Sequence, residues 1–216
     1  VAGDDVFFKS AVDSVVNVNT VDLKSFDMTG YSGTLSGSSN INIAPASGIV
    51  TCLFAGTVTW TGSLYLSPTG TATINFTSGG KTFVTINLIL AESGGIISQQ
   101  DALVATNLGS LKGKYYSNGF SITAMVTSSN STIRTIDITN STCTVTDWDF
   151  GTSTNLTFIS TGSTINFSGT GAQFRGGGKT YNIVTLSGNN ETISGDNAFA
   201  TLNVNTTDPD KIVVRR

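Results

Sequence analysis

The feature that most constrains this chain is an alternation of apolar and small polar residues, which recurs in short runs along the whole length. Examples are the runs at residues 14–20, 39–43, 71–76 and 163–167, where apolar residues alternate with Ser, Thr or Asn. A period of two places the two sets of side chains on opposite faces of a strand. The runs therefore predict many short, half-buried β-strands.

Segments rich in Gly and Asn separate these runs, for example residues 78–80, 118–119 and 176–178. Gly and Asn accept positive φ angles, so such segments predict tight turns between the strands. The one helix candidate is residues 99–108. It contains Val104, Ala105 and Thr106, and we predict strand or turn there rather than helix.

Composition limits the class of fold. Only 12% of the 216 residues are charged, 38% are hydrophobic and 12 are Phe, with a mean hydropathy of +0.13. This chain is too apolar to be disordered and is short of strong helix formers. We expect residues 1–216 to form a single all-β domain that is part of a longer solenoid.

An internal echo narrows the architecture. Ile74-Asn75-Phe76 precedes a Gly-Gly-Lys-Thr motif at residues 79–82, and Ile165-Asn166-Phe167 precedes the same motif at residues 177–180. The echo spans residues 74–108 and 165–202, which is several strands and so more than one coil of a solenoid. We predict a right-handed parallel β-helix. A β-sandwich or jelly roll of the same strands is the alternative.

The Gly-Gly-Lys-Thr motifs invite comparison with a phosphate-binding loop. Such a loop needs a Gly five positions before the Gly that precedes Lys, and those positions hold Asn75 and Gln173. No helix is predicted to follow either copy. Both motifs are therefore predicted to be corners of the solenoid.

Several function classes are disfavoured. The chain has no His, which removes imidazole-based nucleophile systems and imidazole metal ligands. Its 11 basic and 14 acidic residues give a net charge of −3, with no basic cluster for nucleic acid. No apolar run is long enough for membrane insertion. No cofactor is predicted, and Cys52 and Cys143 are interpreted as small buried residues whose disulfide state is open.

Asp147-Trp148-Asp149 is the best candidate for chemistry. On a strand, the two carboxylates lie about 6.6–6.8 Å apart on one face, a spacing that fits an inverting glycosidase or a calcium site. Trp148 between them would offer a stacking surface for a sugar. The alternative, which we favour, places Trp148 in the core and leaves the carboxylates solvated.

A second candidate is the aromatic pair Tyr115 and Tyr116. They follow Lys112 and Lys114, and we interpret residues 112–116 as an exposed loop. Contact with a glycan would follow if the Tyr and Trp residues shared one outer face, which would group Trp60, Tyr65, Tyr115, Tyr116, Trp148 and Tyr181. Nothing in the sequence groups Lys112 and Lys114 with Asp147, so no enzyme activity is predicted.

Four segments carry a resemblance to a known class of module: residues 2–8, 23–35, 176–182 and 192–199. Together they resemble repeat modules of parallel β-helix proteins in tailed-phage virions, of the fibre, decoration or appendage type. Similar modules occur in secreted bacterial adhesins. The resemblance implies an extracellular or virion structural solenoid, and it brings no catalytic residues with it.

We therefore expect a structural protein of a virion or surface appendage, such as a phage fibre or a capsid or tail decoration. Its expected partners are other subunits, copies of itself and a host-surface glycan. One alternative is a carbohydrate-binding adhesin or polysaccharide depolymerase module using Asp147, Trp148 and Asp149. Another is a filament subunit that exchanges a terminal strand, at residues 6–9 or 212–214.

Overall fold

A computed structural model describes residues 3–8, 10–17, 19, 22–89, 94–128, 130–205 and 213–215. All regular secondary structure in these ranges is β-strand. This part of the chain accordingly holds no helix that is long and apolar enough to cross a membrane. The all-β prediction is confirmed.

The strands are short and follow one another with turns between them, as the alternating runs and Gly-rich segments predict. Their bounds are β1 Asp5–Phe7, β2 Ser14–Val16, β3 Ser25–Asp27, β4 Thr34–Gly37, β5 Ile41–Ile43, β6 Ile49–Leu53, β7 Thr57–Val58, β8 Ser63–Leu66, β9 Thr73–Thr77, β10 Thr82–Ile89, β11 Ile96–Gln99, β12 Leu103–Tyr116, β13 Ile122–Thr127, β14 Arg134–Asp137, β15 Thr142–Val145, β16 Trp148–Asp149, β17 Leu156–Ile159, β18 Thr164–Phe167, β19 Gln173–Arg175, β20 Thr180–Leu186, β21 Thr192–Ser194, β22 Ala198–Val204 and β23 Val213–Arg215.

The strands stack in parallel from one coil to the next. The first stack contains β1, β3, β6, β9, β11, the end of β12, β14 and β17. Residues paired between successive coils of this stack lie between 18 positions apart, at Ile96 and Lys114, and 26 positions apart, at Phe26 and Cys52. Such parallel pairing confirms a β-solenoid, of about eight coils, and not a β-sandwich, whose sheets are antiparallel.

Two further stacks, together with a short parallel sheet of β2, β4 and β7, complete the coils. The second stack runs through β10, β12, β13, β15, β18, β20 and β22. The third stack runs through β5, β8, β10, β12, β13, β16, β19, β21 and β23. The longer strands β10 and β13 each contribute to the second and third stacks, and β12 contributes to all three.

Alternation along each strand sends one set of side chains into a common core. Two aromatic clusters lie in this core, and coils whose core residues are aliphatic apart from Tyr115 separate them. The first cluster contains Phe8, Phe26, Tyr31, Phe54, Trp60, Phe76 and Phe83. The second contains Trp148, Phe150, Phe158, Phe167, Phe174, Tyr181 and Phe199. Stacked aromatic rings bury much apolar area per residue, so they anchor both ends of the core.

The middle of the chain confirms one local prediction and corrects another. Residues 99–108 contain strand and turn and no helix, as expected. Residues 112–116, predicted as an exposed loop, instead form the end of β12, which pairs with β11 and β14 on its two sides. The loop prediction was wrong because it relied on Lys112 and Lys114 as signs of exposure. Tyr115, the next residue, points inward and is buried.

Both terminal segments proposed for strand exchange pair within the chain. β1 is hydrogen-bonded to β3, and β23 is hydrogen-bonded to β21 with Val214 opposite Ile193. Lys9 and Ile212, which were part of the proposed exchange segments, lie outside the described residues. The exchange hypothesis therefore remains a prediction, and it would require these strands to leave their present partners.

The internal echo reflects corner chemistry and not an equivalent place in the coil. The corner at residues 79–82 follows β9, which belongs to the first stack. The corner at residues 177–180 follows β19, which belongs to the third stack. Phe174 lies three positions before Gly177, as Phe76 lies three positions before Gly79, whereas Phe167 of the echo lies ten positions before Gly177.

Candidate functional site

Trp148 lies inside the solenoid. Its side chain is 1% exposed, its ring packs against Phe150, Phe158 and Tyr181, and its Nε1 donates a hydrogen bond to Tyr181 Oη at 3.2 Å. Burial raises the pKa of Tyr181 well above its usual value, so the hydroxyl stays protonated. Trp148 therefore stabilises the core, as we favoured, and offers no stacking surface to a ligand outside.

Asp147 and Asp149 face outward on either side of Trp148, and both carboxylates accept hydrogen bonds from backbone N–H groups. Asp147 Oδ1 accepts a hydrogen bond from the backbone N–H of Gln173 in the next coil at 2.8 Å. Asp149 Oδ1 accepts one from the N–H of Gly151 at 2.9 Å, which closes a local turn. Asp149 Oδ2 also lies 3.4 Å from Arg175, a partly exposed ion pair that adds little stability.

A shallow groove of about 630 Å³ opens beside this ion pair. It is lined by Asp149, Gly151, Thr152, Arg175, Gly177, Gly178, Ser194, Gly195 and Asp196. Four of its nine lining residues are glycines, and two of its charged side chains, Asp149 and Arg175, are already engaged in the turn and the ion pair. In the described ranges no three His, Cys, Asp or Glu residues come close enough to hold a metal ion.

Tyr115 also lies inside and is 2% exposed. Its Oη donates a hydrogen bond to Gln99 Oε1, and the amide of that buried Gln donates in turn to the carbonyl of Asp101 at 2.6 Å. Burial raises the pKa of Tyr115 well above its usual value, and nearby Cys143 adds to the effect. Tyr115 therefore belongs to the core and cannot contact a glycan at the surface.

Tyr116 faces the opposite way and is partly exposed. It lines a separate groove of about 270 Å³ together with Asn118, Gly119, Asp137, Thr139 and Asn140. Tyr116 lies in the first stack, whereas Asp147 and Asp149 flank Trp148 in the third. The structure therefore does not bring Tyr116 together with the two carboxylates.

The proposed stripe of Tyr and Trp on one outer face is not formed. Trp60, Tyr115, Trp148 and Tyr181 are all buried. Only Tyr65 and Tyr116 of the six are partly exposed, and they lie on different strands, β8 and β12. Alternation within each strand decides which aromatic side chains face inward, so these aromatic residues, which lie on different strands, do not share one outer face.

The two Gly-Gly-Lys-Thr motifs are corners, as predicted. Lys81 Nζ donates a hydrogen bond to the carbonyl of Gly56 at 2.6 Å, and Lys179 Nζ donates one to the carbonyl of Leu156 at 3.0 Å. Each Lys thus joins its corner to the preceding coil. Cys52 and Cys143 are free, buried thiols, which confirms that they act as small core residues.

Arg134 is a residue whose place sequence reasoning missed. It is 2% exposed, with no ion pair among the described residues. Its Nε donates to Ser128 Oγ at 2.6 Å, and its guanidinium nitrogens donate to the carbonyl of Thr132 at 2.6 Å and to Ser153 Oγ at 2.7 Å. Burial lowers the pKa of Arg134. The available signal was alternation, because Arg134 shares a strand face with Ile136.

Comparison with protein families, with curated proteins and with solved structures finds no match to this chain. Its function is therefore argued from the geometry alone.

Proposed function

We propose that this chain is a structural module, a rigid β-solenoid that serves assembly or attachment in an extracellular particle. A virion appendage, a capsid or tail decoration and a surface filament are the settings that suit it. The observation that carries this proposal is the parallel register of the first stack, which runs through eight strands from β1 to β17.

Such a stack is mechanically suited to act as a spacer. Each interior strand is hydrogen-bonded to the coil before it and to the coil after it, so bending the rod would break ladders on several faces together. At 4.7–4.9 Å per coil, the eight strands of the first stack extend about 35 Å along the axis. The aromatic clusters at both ends of the core resist sliding between coils.

The outer surface fits a particle exposed to solvent. Along the first stack, outward positions in register include Thr51, Asn75 and Ser98, which are short and uncharged. Short polar side chains keep the rod hydrated, and they present little charge that would attract unrelated polyions. Copies of such a rod can pack side by side without strong electrostatic repulsion.

The proposal is tested by asking whether the chain is a stoichiometric part of a particle. Virions or surface filaments from the source are purified on a density gradient and washed in high salt, which screens adventitious charge contacts. Quantitative mass spectrometry then measures the molar ratio of this chain to the main subunit. A fixed ratio that persists through the wash is the expected result. Recovery of the chain in the soluble fraction alone would overturn the proposal.

A further inference from the structure

We propose that the groove beside Tyr116 is a binding site for a single neutral sugar ring. The groove lies on the outer face of the first stack and is lined by Tyr116, Asn118, Gly119, Asp137, Thr139 and Asn140. This proposal is independent of the structural role above, because a rod can carry such a site or lack it.

The strand register places an aromatic ring beside a carboxylate. Tyr116 pairs with Asp137 of the next coil and with Ser98 of the preceding coil, and all three face outward. Strands of neighbouring coils lie about 4.7–4.9 Å apart. The Tyr116 ring and the Asp137 carboxylate are therefore immediate neighbours along the axis, one able to contact an apolar sugar face and the other a hydroxyl group.

The walls of the groove are fixed before any ligand arrives. The Asn118 amide donates hydrogen bonds to Ser98 Oγ at 2.8 Å and to the carbonyl of Gln99 at 2.7 Å. Asp137 Oδ1 accepts a hydrogen bond from the N–H of Thr139 at 2.9 Å. Preorganised groups lose little conformational entropy on binding, which favours affinity for a small ligand.

Several polar groups in the groove keep their hydrogen-bonding capacity. With the described residues, the Tyr116 hydroxyl, the Thr139 hydroxyl and the Asn140 amide make no side-chain hydrogen bond, and Asp137 Oδ2 is not used by the turn. These groups comprise donors and acceptors around one partly exposed ring. A sugar ring presents the complement, with hydroxyls at its edge and C–H groups on its faces.

The size and charge of the groove restrict the ligand. Its volume of about 270 Å³ is close to the lower bound of roughly 300 Å³ for small-molecule sites, so it accommodates one ring and not a chain of rings. Asp137 is the only charged side chain lining it. An anionic sugar would meet that carboxylate, and a neutral hexose or N-acetylhexosamine is therefore the better fit.

The groove beside Asp149 does not compete for this role. It is larger, but none of its lining residues is aromatic, and its Asp149 and Arg175 side chains contact each other. Of the residues singled out in the sequence for glycan contact, Tyr116 alone lines the proposed site, and Asp147, Trp148 and Asp149 do not.

The experiment is saturation-transfer difference NMR on the full chain with a panel of free glucose, galactose, mannose, fucose, N-acetylglucosamine, N-acetylgalactosamine and sialic acid. We expect transfer to at least one neutral sugar, with a roughly millimolar Kd as befits one exposed subsite. Sialic acid should show none. Tyr116→Ala should weaken binding at least about tenfold, which corresponds to the loss of one aromatic contact.

Matched variants separate binding from folding. Tyr65→Ala removes the other partly exposed Tyr, on β8, and should leave binding unchanged. Asp137→Asn keeps an oxygen for the turn while removing the charge, and should weaken binding without unfolding. Thr139→Arg leaves Tyr116 in place and fills the groove, so it should abolish binding even if Tyr116→Ala were to destabilise the coil.

Three results would overturn the proposal. The first is no transfer to any sugar of the panel. The second is transfer that Tyr116→Ala and Thr139→Arg both leave intact. The third is equal loss in Tyr65→Ala, which would place the contact elsewhere. None of these results bears on the stoichiometry measurement that tests the structural role.

Discussion

The corner at residues 79–81 and the corner at residues 177–179 are built alike, although they occupy different places in the coil. In each, the first of these glycines has a φ of +62° and sits against a Phe carbonyl of the preceding coil. In each, the Lys side chain bonds to a backbone carbonyl of that coil. The shared Gly-Gly-Lys-Thr motif thus specifies a local turn, whichever stack precedes it.

The corners differ in how the following coil secures them. Asp101 accepts hydrogen bonds from the backbone N–H groups of Ser78 and Gly79 at 2.7 and 2.8 Å. At the second corner, Asn197 accepts one bond, from Gly178 at 3.2 Å. A carboxylate bonded to two N–H groups holds a turn more strongly than an amide bonded to one. We infer that the first corner is the more firmly anchored.

The largest expected loss of stability comes from substituting the first glycine of either corner, and it should be about equal for the two. A Cβ at Gly79 would lie 2.0 Å from the carbonyl oxygen of Phe54, and one at Gly177 would lie 2.2 Å from that of Phe150. Gly79→Ala and Gly177→Ala should each lower the free energy of unfolding by about 3 kcal/mol or more, measured by urea denaturation.

The neighbouring glycines are the controls for this clash. Gly80 and Gly178 also have positive φ, but a Cβ there meets no atom closer than 3.7 Å. Gly80→Ala and Gly178→Ala should cost only about 1 kcal/mol, from backbone strain. Equal costs at all four positions would show that the Phe carbonyls do not set the corner geometry.

The next largest effect is a loss of stability that should differ between the two corners. Asp101→Ala removes both backbone bonds and should lower the free energy of unfolding by about 2–3 kcal/mol, whereas Asn197→Ala should cost about 1 kcal/mol. Urea denaturation of the two variants measures the difference directly. A larger loss for Asn197→Ala would reverse the inferred order of anchoring.

A smaller and equal effect is expected from the Lys side chains. Lys81→Met and Lys179→Met keep the apolar stem and remove the hydrogen bond to Gly56 or Leu156. Each should cost about 1 kcal/mol by the same denaturation assay. A cost confined to Lys81→Met would mean that Lys179 is not needed at its corner.

The smallest effect is a change in thiol reactivity. Burial raises the pKa of Cys143 to about 12 and that of Cys52 further, so both thiols stay protonated at pH 8 and should react slowly with a disulfide reagent in the folded chain. Cys52 lies two residues before Phe54, beneath the first corner. Gly79→Ala should speed labelling of Cys52 more than that of Cys143, as measured by mass spectrometry; equal acceleration would indicate global unfolding.

Local pattern made the fold predictable. Period-two alternation gave the strands, Gly and Asn gave the turns, and the inward place of Trp148 followed from both. Stack membership was not predictable, because coil lengths vary and the sequence does not show which strands pair. Tyr115 and Tyr116 illustrate the consequence: they are adjacent in sequence, yet one lies in the core and the other lines a groove with residues of the next coil.

The structural roles of Asp147 and Asp149 could not be predicted from the sequence, because they depend on contacts in three dimensions. Asp149 closes a turn through Gly151, and Asp147 bonds to Gln173, which lies 26 positions away in the next coil. Nothing in the local sequence distinguishes such structural carboxylates from catalytic ones, because both types favour polar turns.

The decisive experiment for the structural role is electron cryomicroscopy of the native particle that contains this chain. We expect copies at fixed positions, each a rod of about eight parallel coils repeating every 4.7–4.9 Å, with one face covered by neighbouring subunits. Particles that lack ordered density for this chain, with the protein found free in solution, would contradict the structural role.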